Sequence, residues 1–146
     1  MKPHPPTILI VDDDPADQFL VQEAMKCANL NYDLRLVSDG DEAIEYLYRR
    51  GRYADQRKAP RPDLILLDLN MPRFSGRNVA KALKNDAQLR RIPIVVLTTS
   101  GQEEDVEELY GIGINAYMQK PMHFDQFTAA LRDLSAYWLE RVSLPK

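Results

Sequence analysis

The chain has one cysteine, two histidines and only six glycines among its 146 residues. Cys27 alone excludes a disulfide framework and a cysteine metal site, and its helical surroundings predict a small core residue. His4 and His123 lie far apart in the sequence and suggest no shared metal site. The scarcity of glycine fits the absence of a Gly-rich phosphate loop, which argues against a nucleotide-binding enzyme.

Long hydrophobic runs and blocks of basic residues are also missing. No apolar stretch approaches the roughly 18 residues of a membrane span, and the first residues lack a signal-peptide core. Lysine and arginine occur at most in adjacent pairs, and the net charge is −3, which argues against nucleic acid as a direct partner. We therefore expect a cytoplasmic protein that binds neither membranes nor nucleic acid.

What the sequence does contain is a series of short apolar runs that alternate with helical patterns. The runs at 8–11, 64–67 and 94–97 are continuously apolar, which is typical of strands buried on both faces. Segments 33–37 and 115–119 contain polar residues and fit sheet edges. The alternation predicts an α/β fold, a doubly wound five-stranded parallel sheet of order 2-1-3-4-5 with helices on both faces.

The segments between these strands have features of their own. Asp14 followed by Pro15 predicts the start of a helix. Residues 51–62 form a polar, Arg-rich loop that is long enough to be an insertion. The apolar residues of the first helix recur at helical spacing and predict its inner face: Ala16, Phe19, Leu20, Ala24 and Cys27.

Residues 1–146 are predicted to form one domain, with a core at about 7–134 and a C-terminal extension at 135–146. The extension is too short for an output domain, so we expect another protein, a change of oligomer or an onward phosphoryl transfer to read the signal. A stripe along the last helix runs into the extension: Phe124, Phe127, Leu131, Leu134 and Trp138. This apolar surface predicts a homodimer through the last helix, the last strand and the tail. The alternative is that the tail folds back on its own domain.

Polar residues stand where four of the predicted strands end. Asp12 and Asp13 follow the first strand, Asp68 the third, Thr98 ends the fourth and Lys120 follows the fifth. Because the carboxyl ends of parallel strands share one edge of the sheet, these side chains are expected to converge. Clustered carboxylates repel one another unless a cation such as Mg²⁺, which prefers oxygen ligands, lies between them. Lys120 and Thr98 would then bind a phosphoryl group on Asp68.

With these positions the chain resembles the receiver domain of two-component response regulators from about Ile8 to Leu134. The matching positions are Asp12-Asp13, the Asp-Leu-Asn-Met-Pro segment that begins at Asp68, Thr98, Tyr117 and Lys120-Pro121. The resemblance implies that Asp68 accepts a phosphoryl group from a sensor histidine kinase in an Mg²⁺-dependent reaction.

The same resemblance implies a role for each matched residue. Asp13, Asp68 and the Asn70 carbonyl would bind Mg²⁺ directly, and Asp12 through water. Thr98 and Tyr117 would form the switch that responds to phosphorylation. A cis peptide bond would precede Pro121.

Three longer phrases resemble the small single-domain regulators that partner bacterial phytochromes. They begin at Pro62, Arg91 and Tyr137, and those regulators have a similar loop before the third strand and a similar tail. This resemblance implies a role in phytochrome-linked light signalling.

Particular residues argue against two other functions of the same general fold and chemistry. A flavodoxin-like cofactor module would have its cofactor phosphate repelled by the carboxylates of Asp12, Asp13 and Asp14. An aspartate-nucleophile hydrolase of the haloacid dehalogenase type needs an acid where this chain has Asn70. A phosphorelay intermediate and a phosphorylation-independent interaction module remain as alternatives.

Overall fold

A computed structural model describes residues 5–28, 31–69, 76–98 and 103–145. The strands are β1 (Thr7–Val11), β2 (Asp33–Val37), β3 (Leu64–Leu67), β4 (Ile94–Thr98) and β5 (Ala116–Gln119). The helices are α1 (Pro15–Cys27), α2 (Gly40–Tyr48), α3 (Gly76–Lys84), α4 (Glu103–Ile112) and α5 (Phe124–Ala136). All strand pairs are parallel, in the order β2-β1-β3-β4-β5, which confirms the predicted fold. Among the helices described, none combines the length and apolar character needed to cross a membrane.

The burial of each strand follows from its sequence. Every residue of β1, β3 and β4 is buried, whereas most residues of β2 and β5 are half-buried. Continuous apolar runs therefore occupy the centre of the sheet, and the strands that contain polar residues form its edges, as predicted.

Successive residues of the central strands point to opposite faces, so the sheet has a hydrophobic core on each side. The core under α2, α3 and α4 contains the strand residues Leu9, Val11, Ile65 and Leu67. The core under α1 and α5 contains the strand residues Ile8, Ile10, Leu64 and Leu66. The two cores hold helices on both faces and leave the carboxyl edge of the sheet free for polar side chains.

Helix α1 begins as predicted, but it buries a different face. The Asp14 side chain accepts a hydrogen bond from the Ala16 N–H at 2.9 Å. Phe19 is 59% exposed and Leu20 41% exposed, and Cys27 is also exposed, so of the predicted inner face only Ala24 is confirmed as buried. The buried residues are Val21, Ala24 and Met25. Both sets have helical spacing, and spacing alone does not decide which of two overlapping stripes packs against the sheet.

The polar segment between α2 and β3 is fastened to α2. It contains a short 3-10 turn at Gly51–Tyr53. The Tyr46 hydroxyl donates a hydrogen bond to the Pro60 carbonyl at 2.7 Å, and Arg49 Nε donates one to the Ala59 carbonyl at 3.2 Å. These bonds satisfy backbone carbonyls of a loop that has no strand partner.

The C-terminal extension lies against its own domain. After α5 the chain forms a π-helical turn at Tyr137–Arg141. Trp138 and Leu139 pack against the core under α1 and α5. The Tyr32 hydroxyl donates a hydrogen bond to Glu140 Oε2 at 2.9 Å and ties the turn to the chain before β2. Trp138 and Leu139 therefore follow the alternative in which the tail folds back on its own domain.

Candidate functional site

Strand pairing places the first polar residues of the site side by side. In β1 and β3, Val11 is opposite Leu67, so Asp12 and Asp68 follow at neighbouring strand ends. The Asp68 N–H also donates a hydrogen bond to the Val11 carbonyl at 2.9 Å. The register of two buried strands therefore sets the separation of these side chains.

Asp12, Asp13 and Asp68 form a cluster of carboxylates. Each offers an oxygen, and these oxygens all lie within 4.8 Å of one another. A pair of unit charges about 4 Å apart repels by roughly 1 kcal/mol in water and about 4 kcal/mol at an effective dielectric constant near 20. Burial raises the pKa of Asp12, even though a backbone hydrogen bond and the charge of Lys120 act in the opposite direction. A set of oxygen donors under mutual repulsion fits a hard divalent cation such as Mg²⁺.

Lys120 brings positive charge to this cluster. Its ammonium group donates hydrogen bonds to Asp12 Oδ2 at 3.2 Å and to Asp17 Oδ2 at 2.9 Å. Burial by itself would lower the pKa of Lys120, but the hydrogen bond to Asp17 and the charges of Asp12, Asp68 and Asp17 outweigh it and raise the pKa. Lys120 is therefore charged at neutral pH, although its side chain is only 11% exposed.

Asp17 and Gln18 are site residues that the sequence reasoning missed. Both lie in the first turn of α1, which begins directly after the aspartates that end β1. Gln18 Nε2 donates a hydrogen bond to the Asp12 carbonyl at 2.6 Å. The available signal was this position, because the first turn of a helix that follows a strand end must lie beside that end.

The predicted switch residues occupy the two strands beyond β3. Thr98 is fully buried at the end of β4, and its carbonyl accepts a hydrogen bond from the Lys120 N–H at 2.7 Å. Tyr117 lies opposite Val96 in β5 and packs against the core under α2, α3 and α4. Asn70 lies outside the described residues.

The peptide bond between Lys120 and Pro121 was expected to be cis. No peptide bond among the described residues is cis, so the expected cis bond is wrong. The trans form of an X–Pro bond is intrinsically favoured by about 0.5–1 kcal/mol.

Gly76 allows α3 to begin close to the acidic cluster. A Cβ atom at this position would overlap the carbonyl oxygen of Asp68 and lie 3.0 Å from the Leu69 Cα atom. Because both neighbours are backbone atoms, only glycine permits this approach.

An apolar surface adjoins the site. A cavity of about 310 Å³ is lined by Asp17 and Lys120 together with Leu20, Pro121, Met122, His123, Phe124 and Phe127. Three exposed side chains on α1 and at the start of α5 form what we term the apolar rim: Leu20, Met122 and Phe124. Met122 is 96% exposed. Adjoining exposed apolar residues of this kind usually mark a contact surface.

Comparison with known proteins gives consistent matches in sequence. The protein-family model for the response regulator receiver domain matches residues 8–132. Response regulator Rcp1 of Synechocystis sp. is 40% identical over 141 residues, which cover 97% of this chain and 94% of Rcp1.

Solved structures of response regulators are also similar to this chain. Response regulator RPA3017, from red light signaling of R. palustris, superposes with a TM-score of 0.92 at 40% identity, covering 97% of this chain and 99% of that one. The phosphorylated cyanobacterial phytochrome response regulator RcpA has a TM-score of 0.90 at 39% identity, with coverage of 97% and 99%. The Mn²⁺-bound form of Rcp1 has a TM-score of 0.86 at 40% identity, with coverage of 97% and 100%.

Proposed function

The chain belongs to the response regulator receiver domain family, and from that premise we propose that it is a single-domain response regulator that accepts a phosphoryl group on Asp68. The observation that carries the proposal is the convergence of three carboxylates with the buried ammonium group of Lys120 at one edge of the sheet. Asp68 follows β3, the middle strand of the sheet, and lies between the ends of β1 and β4.

In the proposed reaction, a carboxylate oxygen of Asp68 attacks the phosphorus atom of a phosphohistidine on a sensor histidine kinase. A P–O bond forms while the P–N bond to the imidazole breaks, and the imidazole nitrogen keeps the electron pair. Water later attacks the acyl phosphate, which releases inorganic phosphate and restores the carboxylate. The protein is thus a signalling phosphoacceptor that promotes its own phosphorylation and its slow dephosphorylation.

The carboxylates would hold a divalent cation, which we propose to be Mg²⁺. Asp13, Asp68 and the Asn70 carbonyl would be its direct ligands, and Asp12 would act through water. In support, both carboxylate oxygens of Asp12 already accept hydrogen bonds, one from a backbone N–H at 3.0 Å and one from Lys120 at 3.2 Å. When bound, the cation neutralises the carboxylates and the charge on the phosphoryl oxygens.

Lys120, Thr98 and Tyr117 would respond to the phosphoryl group. Lys120 pairs with one phosphoryl oxygen, and the Thr98 hydroxyl donates a hydrogen bond to another. Because β4 and β5 are neighbours, the space that Thr98 leaves is available to Tyr117, which turns inward. This movement changes the surface beside β5.

The proposed partner is a sensor histidine kinase of the phytochrome type. Relatives of similar length are described as response regulators of phytochromes or of red light signaling. The apolar rim beside Lys120 offers a contact surface for the kinase. A cytoplasmic location is part of the proposal, because a histidine kinase takes its phosphoryl group from ATP.

A homodimer is a further part of the proposal. It would form through α5, β5 and the C-terminal tail, which contains Leu139, Val142 and Leu144. These side chains line an open cavity of about 650 Å³ near the starts of β3 and β4. Packing by a second copy would bury apolar surface that the tail leaves accessible.

Labelling of Asp68→Asn tests the proposal. The variant should not be phosphorylated by acetyl phosphate or by a phosphorylated phytochrome kinase, because an amide is a much weaker nucleophile than a carboxylate. Asp41→Asn, which removes one charge from an exposed position of α2, should be labelled normally. Undiminished labelling of a folded Asp68→Asn protein would contradict the assignment.

A further inference from the structure

We propose that Asp17 is a positioning residue that restrains Lys120 in the unphosphorylated protein and competes with the phosphoryl group for its ammonium. The inference rests on the proposed phosphorylation of Asp68. It assigns a function to a residue of α1 that belongs neither to the carboxylate cluster nor to the predicted switch.

Lys120 is shared between two carboxylates. Its ammonium group contacts Asp17 on α1 at 2.9 Å and Asp12 at the end of β1 at 3.2 Å. Asp12 lies in the carboxylate cluster with Asp68, whereas Asp17 lies outside it. Negative charge added at Asp68 therefore pulls the ammonium away from Asp17.

The exposure of the two partners indicates which contact breaks. The side chain of Asp12 is 4% exposed, and that of Asp17 is 34% exposed. Asp17 can be solvated by water once Lys120 leaves, but Asp12 would become an unpaired buried charge, which is costly. The contact with Asp17 is the one that the phosphoryl group displaces.

The backbone around Asp17 need not move in this exchange. Gln18 fixes the first turn of α1 through its hydrogen bond of 2.6 Å to the Asp12 carbonyl. Asp17 also lines the cavity of the apolar rim, together with Leu20 and Phe124. Phosphorylation would convert a paired carboxylate on this cavity wall into an unpaired one, so a bound kinase would meet a new negative charge after transfer.

The test uses the full chain and beryllofluoride, an analogue of the phosphoryl group, at saturating Mg²⁺. Asp17→Asn should bind beryllofluoride about fivefold more tightly than the wild type, because the competing ion pair of a partly exposed carboxylate contributes up to about 1 kcal/mol. Asp17→Glu keeps the carboxylate and should restore the affinity of the wild type. Asp125→Asn removes an equal charge from an exposed position of α5 and should have no effect.

A second measurement follows Asp17 directly. The ¹³C resonance of its carboxyl group in the wild type should shift towards that of the exposed Asp125 when beryllofluoride binds, a change that a merely structural role would not produce. An Asp17→Asn affinity that is equal to or weaker than that of the wild type would overturn the role of Asp17, as would an unmoved resonance. A wild-type protein that does not bind beryllofluoride would instead overturn the proposed phosphorylation.

Discussion

Asp13 adds negative charge to a place where Asp12 and Asp68 already lie close together. Asp13→Ala should lower the Mg²⁺ affinity by at least about tenfold in calorimetry, because it removes a direct ligand. In metal-free buffer the same change should raise the free energy of unfolding by about 1 kcal/mol, since one repulsive charge is lost. The control is Asp41→Ala, which removes an equal charge from α2 and should leave the Mg²⁺ affinity unchanged. An unchanged Mg²⁺ affinity would show that Asp13 is not a ligand.

We expect Thr98 to couple phosphorylation of Asp68 to the affinity for the partner. Thr98→Ala should still accept the phosphoryl group, but the coupling to partner affinity, typically about 1–3 kcal/mol, should fall to near zero. Thr98→Ser keeps the hydroxyl and should retain most of the coupling. Partner affinity measured with and without beryllofluoride checks this prediction. Full coupling in Thr98→Ala would exclude a role for the hydroxyl.

At the residue scale, the sequence predicted the side chains whose positions depend on strand ends. Asp12, Asp68 and Lys120 each follow a strand that its apolar run identifies, and parallel pairing brings such residues together. Asp17 was not predicted, because its contact with Lys120 joins a helix to a distant strand end. Only its position in the first helical turn after β1 could have indicated that it lies near the site.

At the scale of elements, we expect the exposed face of α1 to contribute to docking of the kinase during phosphotransfer. Changing both Phe19 and Leu20 to serine should lower kcat/KM for transfer from the kinase by at least about tenfold, since each large apolar contact contributes about 1.5–3 kcal/mol. Labelling by acetyl phosphate should not change, because this small donor does not need the rim. The matched control is Tyr137→Ser, which alters an exposed aromatic residue on the C-terminal turn. Equal losses with both donors would indicate damage to the site rather than to docking.

Helix α5 contains a buried hydroxyl whose removal should stabilise the protein. Ser135 is fully buried, and its Oγ atom has no hydrogen-bond partner among the described residues. Ser135→Ala should raise the free energy of unfolding by about 1 kcal/mol, because the desolvated hydroxyl is removed and alanine favours the helix. Ser143→Ala, at an exposed position, should have little effect in the same denaturant titration. A loss of stability in Ser135→Ala would imply that the hydroxyl has a partner.

The existence of the elements could be predicted, whereas the rotation of α1 could not. The central strands of the sheet are buried on both faces, so short apolar runs between turn residues indicate them. The apolar residues of α1 fall into two overlapping stripes, and only packing against α5 and the sheet selects Val21, Ala24 and Met25. Phe19 and Leu20 consequently remain at the surface, where Leu20 contributes to the apolar rim.

In the molecule as a whole, the two ends of the sheet have different surfaces. The carboxyl ends of the strands hold the acidic site and the apolar rim. The C-terminal tail lines a cavity with residues 61–63 and 91–93, which precede β3 and β4, so it lies at the opposite end. A kinase at the rim would therefore not contact the tail residues of the proposed dimer.

The last prediction concerns this second copy. Trp138 and Leu139 already pack against their own domain, so the tail's part of the dimer contact must come from residues further along the chain. Changing Val142 and Leu144 together to aspartate should make the protein monomeric at concentrations where the wild type is dimeric, because burying each aliphatic side chain contributes about 1.5–3 kcal/mol. Ser143→Asp, between them and exposed, is the control for added charge.

Light scattering on the wild type, these variants and a chain ending at Ser135 measures the association. The shortened chain should also be monomeric, and it should be less stable because it lacks the packing of Trp138 and Leu139. Adding Mg²⁺ and beryllofluoride should shift the equilibrium of the wild type, since Tyr117 lies in the edge strand β5 beside the proposed interface. A wild-type protein that stays monomeric at high concentration, with and without beryllofluoride, would exclude the dimer and leave the tail only the function of covering its own core.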